Sequence, residues 1–271
     1  MKPIFNGKAI YNPAGKAGEY SKWACNFFTG CSNNCSYCYC KKGFMGRLWT
    51  TVPVLKKCFK DEEDAFRIFC LEMNKNIDNL RKEGLFFTFT SDPMLAETIG
   101  LTIRCVKEAV KNGVPVQILT KRSDFIPRLN KDEEFFKLNK KMIAFGFTLT
   151  GCDEMELGAC PNMMRIFSMK LLHNMDYRTF ASIEPIISVS NSLKMIELSR
   201  EHCDLFKIGL MSGKTDYSVE ELEKMAQTLQ TDSNKYEFKF YLKESFLKAG
   251  NWDRSAFGKN SIDAAYNIFN N

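Results

Sequence analysis

From Trp23 onward, short runs rich in β-branched and aromatic residues alternate with longer stretches of helical period. That alternation restricts the chain to repeated strand-helix units around a largely parallel sheet. Strands are expected over residues 23–28, 85–89, 115–119, 142–149, 177–183 and 205–208, with a seventh short one at 238–241. Helices are expected over 62–82, 97–112, 124–139, 162–174, 191–201 and 219–230. Their ends carry signals: Ser218 stands three residues before Glu221 as a capping box, Gly84 and Gly113 follow helices, and Pro161 suits a first turn. With 271 residues, 45% of them apolar, the chain can build a sizeable core, which excludes a disordered or collagen-like protein.

The expected architecture is α/β: a partial (β/α)6 barrel, similar to a TIM barrel, over 21–242, with an N-terminal extension at 1–20 and a C-terminal cap or tail at 243–271. In such a fold, chemistry collects at the C-terminal ends of the strands, and here each expected strand end carries polar or metal-binding groups. Strand one runs into Cys31-Ser-Asn-Asn-Cys35-Ser-Tyr-Cys38. Strand two ends in Thr90-Ser91-Asp92-Pro93, strand three in Thr120-Lys121-Arg122, strand four near Thr148 and Thr150, and strand five at Glu184-Pro185.

The cysteines narrow the chemistry. Eleven is an odd number, and no apolar segment precedes a cleavage site, so reduced thiols or metal ligands fit better than a disulfide framework. Cys31, Cys35 and Cys38 can converge on one soft-metal site from a single loop, and three ligands leave a metal position open. Cys40 is expected outside that set, because an extended segment would carry it along the chain. The opposing reading is a zinc site that completes itself with Cys25 or Cys40, in a non-catalytic nucleic-acid-binding protein. Against it, there is no second Cys-x-x-Cys, and His173 and His202 form no ligand pair.

Cys-x3-Cys-x-aromatic-Cys after a first strand resembles the signature of radical S-adenosylmethionine (SAM) enzymes. Within that superfamily, Gly30–Tyr39, Thr90–Pro93, Leu119–Arg122, Thr148–Thr150, Glu156–Pro161 and Ile183–Pro185 are most similar to the spore photoproduct lyase and DNA-repair-photolyase-like branch. The likeness covers roughly residues 21 to 210. It implies a 4Fe-4S cluster on Cys31, Cys35 and Cys38, with SAM on the open iron. It further implies reductive cleavage of SAM to a 5′-deoxyadenosyl radical, which abstracts a hydrogen atom from substrate. By position it assigns Tyr37 to the adenine and Ser91, Asp92, Lys121 and Thr148 to the methionine moiety of SAM. The residue chemistry agrees: Asp92 can meet an ammonium, Lys121 a carboxylate, and the hydroxyls the remaining donors and acceptors. Glu184 is open between a ribose hydroxyl, an ion pair with Lys121 and a role on substrate.

One position departs from the branch, where a hydrogen-donating cysteine stands immediately before Thr-Ser-Asp. This chain has Phe89 there, so thymine-dimer splitting by the lyase route is not expected. Tyr39 and Cys152 are the candidate catalytic residues for hydrogen return. The substrate is left between a nucleic-acid base, as in repair or modification, and a peptide or small metabolite. Lys41, Lys42, Arg47 and Trp49 offer cations and an aromatic to a nucleic acid, and a net charge of +6 tolerates that partner without demanding it. A flavodoxin- or ferredoxin-type electron donor is the implied partner, and a cytoplasmic monomer with no membrane segment is expected.

Overall fold

The computed structural model describes residues 4–270 and divides the chain into two compact units. The first contains residues up to Ala144 together with Met155–Cys160; the second contains Phe145–Glu154 and the chain from Pro161 onward. The fold is α/β, with mostly parallel strand pairing, as the strand-helix alternation requires.

In the first unit, β1 (Ile10–Tyr11) pairs antiparallel with β2 (Ala24–Cys25). β3 (Phe28–Thr29) and β4 (Val54–Leu55) form a separate antiparallel ribbon. β5 (Leu85–Phe87) lies parallel to β2, and β6 (Val116–Thr120) parallel to β5. The expected first strand is therefore broken at Asn26. This buried amide binds the Phe89 amide through Oδ1 at 2.8 Å and Tyr11 Oη through Nδ2 at 2.7 Å, so the chain turns there instead of running straight. The N-terminal extension is part of the sheet. Glu72 holds it by accepting the backbone N–H groups of Lys8, Ala9 and Ile10 at 2.7–3.0 Å.

The helix expected over 62–82 is two, Glu62–Lys75 and Ile77–Glu83, separated where Asn76 leaves helical geometry and binds the Glu72 carbonyl. The first starts on Asp61, which accepts the Asp64 N–H at 2.8 Å. Helix Ile99–Lys111 buries Ile99, Leu101, Thr102, Ile103, Cys105, Val106, Ala109 and Val110, a stripe wide enough to pack on both the sheet and helix Glu62–Lys75. The stretch expected as one helix over 124–139 holds two short ones, Ile126–Asn130 and Glu133–Phe136, because Asp132 interrupts the helix to cap the second turn.

In the second unit, β7 (Ile143–Thr148) gives its residues from Phe145 onward, followed by β8 (Arg178–Ile186), β9 (Leu205–Leu210) and β10 (Lys239–Leu242). β8 and β10 both pair parallel with β9. One sheet face takes Phe206, Ile208, Phe240 and Leu242, all essentially buried. Helix Val219–Tyr236 buries Leu222, Met225, Ala226 and Leu229 at helical spacing, and Ser218 caps it through the Glu221 amide at 3.3 Å. On the opposite face the Phe180 ring lies over Gly146, where a Cβ would approach it to 2.1 Å; only glycine fits there. Among the described residues, no helix is long and apolar enough to cross a membrane.

Candidate functional site

The cysteine loop begins where β3 ends. Gly30 has φ of 87°, and a side chain there would lie 2.2 Å from Thr50, so the turn that launches the loop needs glycine on two counts. The loop is then a succession of turns: Asn34 N–H binds the Cys31 carbonyl, and Cys38 N–H the Cys35 carbonyl, each at 3.3 Å. Lys41 closes it from beyond, donating to Asn34 Oδ1 at 2.7 Å. Cys35 is buried; Cys31 and Cys38 are half-buried.

The three thiols differ in their electrostatic surroundings. Burial pushes Cys31 up to about 12, with Asp92 adding to the rise, and burial also raises Cys35. Cys38 falls to about 6, chiefly because the Cys40 thiol hydrogen-bonds to it. The Lys121 ammonium lowers all three. The expectation that Cys40 would be carried away along an extended segment is not met. Residues Tyr39–Lys41 form a 3₁₀ turn, which folds the Cys40 sulfur back against Cys38. Among the described residues, no three His, Cys, Asp or Glu side chains are grouped as they would be around one ion. A single zinc ion draws its sulfurs to about 2.3 Å from a common centre, whereas an iron-sulfur cube takes each thiolate on a different iron. The donor set, three thiols on one loop, suits the thiolate ligation of an iron-sulfur cluster.

Asp92 organises the strand ends around this loop. Its carboxylate, 6% exposed, accepts from Asn33 Nδ2 (2.7 Å), Thr120 Oγ1 (2.6 Å), Lys121 N–H (2.7 Å) and Met94 N–H (2.9 Å). A carboxylate has about four lone-pair positions, and these four donors fill them. Asp92 therefore ties the cysteine loop to the end of β6 and fixes the backbone of Lys121. Ser91 beside it is different: its Oγ is buried and has no partner, an unsatisfied group of the kind a ligand would complete. Replacing Asp92 by Asn should turn one acceptor oxygen into a donor facing N–H groups. About 2 kcal/mol of stability should be lost, lowering Tm by roughly 5 °C, as calorimetry on the Asp92→Asn variant can read.

Met155–Cys160 crosses the cysteine loop as a strap. Ser36 N–H binds the Met155 carbonyl at 2.9 Å, and Gly158 N–H binds the Asn33 carbonyl at 3.1 Å. Cys160 N–H binds the Lys121 carbonyl at 3.1 Å, and Arg122 Nη1 donates to the Gly158 carbonyl at 2.8 Å. Glu156, almost fully buried, accepts the Tyr37 hydroxyl, and Lys121 Nζ stands 5.7 Å from the centre of the Tyr37 ring. Asn33, Arg122 and Gly158 were not among the expected site residues. Their signal in the sequence is slight, since each acts on a partner distant in sequence.

Of the expected site residues, the structure brings Cys31, Cys35, Cys38, Tyr37, Asp92 and Lys121 together, and Ser91 adjoins Asp92. Tyr39 is 59% exposed, and its hydroxyl donates to the Phe89 carbonyl, to which the Cys40 sulfur also lies close at 3.5 Å. The Phe89 ring stacks on Phe86 with centroids 4.5 Å apart. Thr148, Cys152 and Glu184 belong to the second unit. The Thr148 carbonyl accepts Arg165 Nη1 at 2.8 Å, and buried Cys152 accepts Asn191 Nδ2 at 3.3 Å. Glu184 pairs with Lys243, which reaches both carboxylate oxygens at 3.0 Å.

No protein-family profile matches the chain, and no curated protein matches it in sequence. Solved structures do. Spore photoproduct lyase complexed with dinucleoside spore photoproduct is 14% identical, with 85% of this chain and 78% of that chain covered and a TM-score of 0.59. A point mutant of the same enzyme gives 13% identity over the same shares with a TM-score of 0.61. SuiB of Streptococcus suis, bound to S-adenosylmethionine, is 14% identical with a TM-score of 0.52; 82% of this chain matches 51% of SuiB. The chain has the fold of these radical SAM enzymes, the fold that its cysteine spacing resembles.

Proposed function

We propose that this protein is a radical SAM enzyme, with a 4Fe-4S cluster on Cys31, Cys35 and Cys38 and SAM beside it. The observation that carries the reading is a trio of thiols on one loop, all acted on by the same ammonium, Lys121. A cluster held by Cys31, Cys35 and Cys38 would supply the one-electron reduction of SAM on which hydrogen-atom abstraction from substrate depends. The chain's own residues prepare that chemistry. The loop buries Cys35 and partly buries Cys31 and Cys38, Lys121 would offset the negative charge of the thiolates, and Ser91 offers its unpartnered hydroxyl to the amino acid portion of SAM. Tyr37, held by Glu156, supplies an aromatic face for the adenine. Asp92 acts on Lys121 and the cysteine loop as a positioning residue, because its acceptor positions are filled from within the chain.

SAM is bound in solved structures of both spore photoproduct lyase and SuiB, and spore photoproduct lyase is also solved with a dinucleoside spore photoproduct and SuiB with a precursor peptide. The proposed substrate is a nucleic-acid base, with a peptide or small metabolite as the alternative. Cation and aromatic meet next to the cysteine loop, where Lys41 Nζ stands 4.7 Å from the Trp49 ring centre, a pairing suited to phosphate and base. Phe89 leaves the hydrogen-returning cysteine of the lyase without a counterpart, and Tyr39, whose hydroxyl donates to the Phe89 carbonyl, is the candidate for that role, with Cys152 as the other. A flavodoxin- or ferredoxin-type protein is the proposed electron donor.

Anaerobic reconstitution tests the assignment. About four irons and four sulfides per chain are expected, with 5′-deoxyadenosine formed from SAM under dithionite. Stoichiometric zinc without sulfide would instead favour the non-catalytic binding protein. Lys121→Met should raise the SAM concentration needed for half-maximal cleavage by about tenfold or more, the loss of one charge-assisted contact, while iron content stays near the parent level.

A further inference from the structure

The net charge of this chain is gathered in one stretch. Between Ser21 and Lys60 stand seven basic residues and no acidic one; the rest of the sequence carries 31 basic against 32 acidic, so all of the +6 arises here. Folding leaves most of that charge uncompensated. Lys22 pairs with Glu83 at 2.6 Å, but among the described residues no carboxylate forms an ion pair with Lys41, Lys42, Arg47, Lys56, Lys57 or Lys60. Lys60 leads into the acidic first turn of helix Glu62–Lys75, and Lys41 and Lys56 are spent on Asn34 and on backbone carbonyls. Lys42, Arg47 and Lys57 are exposed.

The same segment exposes aliphatic surface. Leu48, Val52 and Val54 are 49%, 53% and 51% exposed. The stretch that carries them runs along the start of the cysteine loop. Val54 stands opposite Thr29 in the β3–β4 ribbon, the Thr50 carbonyl accepts the Cys31 N–H at 3.1 Å, and a Cβ on Gly30 would lie 2.8 Å from the Val52 carbonyl oxygen. Exposed aliphatics accompanied by cations suit contact with a protein. A nucleic-acid strand needs rings to stack on, and among the described aromatic residues of this segment Tyr39 alone is exposed. The Lys41–Trp49 pair can serve a base while the aliphatic surface serves a protein.

We infer that Leu48, Val52 and Val54, with Lys42, Arg47 and Lys57, form the docking surface for an acidic protein that carries single electrons at low potential. This rests on the radical SAM reading, which requires such a donor. The carrier loses one electron and the cluster proposed on Cys31, Cys35 and Cys38 gains it, with no atom transferred. Complementary charge speeds an encounter of this kind and makes it salt-sensitive. Electron-transfer complexes also lie at the small end of interface area, which a few aliphatic side chains can fill.

The test measures binding and turnover separately, with a purified flavodoxin of net negative charge as the probe. Its affinity for the full-length protein should fall at least about tenfold as chloride rises from about 50 to about 300 mM. The double variant Val52→Glu/Lys57→Glu should bind flavodoxin at least about tenfold more weakly. Its flavodoxin-driven formation of 5′-deoxyadenosine should fall in step, while dithionite-driven formation stays at the parental level. Lys224→Glu/Lys248→Glu, an equally exposed pair in the second unit, should leave flavodoxin affinity unchanged. Flavodoxin that does not bind, or binds the Val52→Glu/Lys57→Glu variant as tightly as the parent, overturns the inference, as does an equal loss in the second-unit variant. Loss of a single-stranded oligonucleotide from Val52→Glu/Lys57→Glu with flavodoxin binding kept would give the surface to nucleic acid instead. Parental cleavage under dithionite without flavodoxin binding refutes the docking surface alone; no cleavage with either reductant refutes the radical SAM reading, and the binding result still decides the surface.

Discussion

Cys35→Ala should leave the purified protein colourless after anaerobic reconstitution, and deoxyadenosine formation from SAM should fall at least about a thousandfold, to the level of a step that has lost its electron source. Cys35 is the middle and most buried of the three thiols. Its loss leaves two ligands at the ends of the loop, which cannot hold a four-iron cube in place. The same substitution at Cys40 separates two roles. Cys40 lies against Cys38 and raises the acidity of that thiol without belonging to the proposed set, so Cys40→Ala should keep its iron and bind it more slowly at neutral pH. Iron and sulfide analysis across the two variants checks both outcomes; iron retained in Cys35→Ala, or lost in Cys40→Ala, would reassign the ligands.

Gly158→Ala should be nearly as damaging, although it adds only a methyl group. The new Cβ would lie 2.0 Å from the Ser32 carbonyl oxygen and 3.0 Å from the Asn33 carbonyl carbon. Both are backbone atoms of the cysteine loop, so no side chain can swing aside to relieve the clash. The strap must move away, loosening the Gly158 to Asn33 and Ser36 to Met155 hydrogen bonds and the Tyr37 to Glu156 contact. Overpacking of this kind costs about 1–3 kcal/mol, and here it falls on the segment that covers the site. The expected result is a folded protein with a Tm lower by several degrees, iron incorporation cut to a small fraction, and faster cluster loss in air. Gly158→Ala with parental iron content and stability would show that the strap does not shape the loop.

Much of the fold was legible in the sequence because the strands announce themselves through β-branched and aromatic runs. β6, β7 and β9 lie within a residue or two of where periodicity set them. What was not legible turned on single polar side chains with distant partners. Asn26 breaks the first strand by reaching Phe89, and Asn76 and Asp132 interrupt helices that apolar spacing would have continued. The site shows the same division. Three thiols in eight residues are a local signal, and Asp92 and Lys121 stand at strand ends where chemistry gathers. That Asp92 is filled by four donors of the chain itself depends on Asn33, Thr120 and Lys121, brought together only by folding. Cys40 lies nearer to Cys38 than an extended segment would carry it, because Tyr39–Lys41 form a tight turn.

The strap has a consequence for biosynthesis. Residues Met155–Cys160 complete the first unit, although the chain must first enter the second unit at Phe145 and leave it again to supply them. A nascent polypeptide ending near Ala144 would hold every thiol of the loop yet leave it uncovered. At a ribosomal pace of about 5–20 residues per second, that exposed interval lasts on the order of a second. Delivery of the proposed cluster to a competent pocket would therefore belong after translation has passed Cys160, and a carrier acting earlier would meet an open, oxidisable loop.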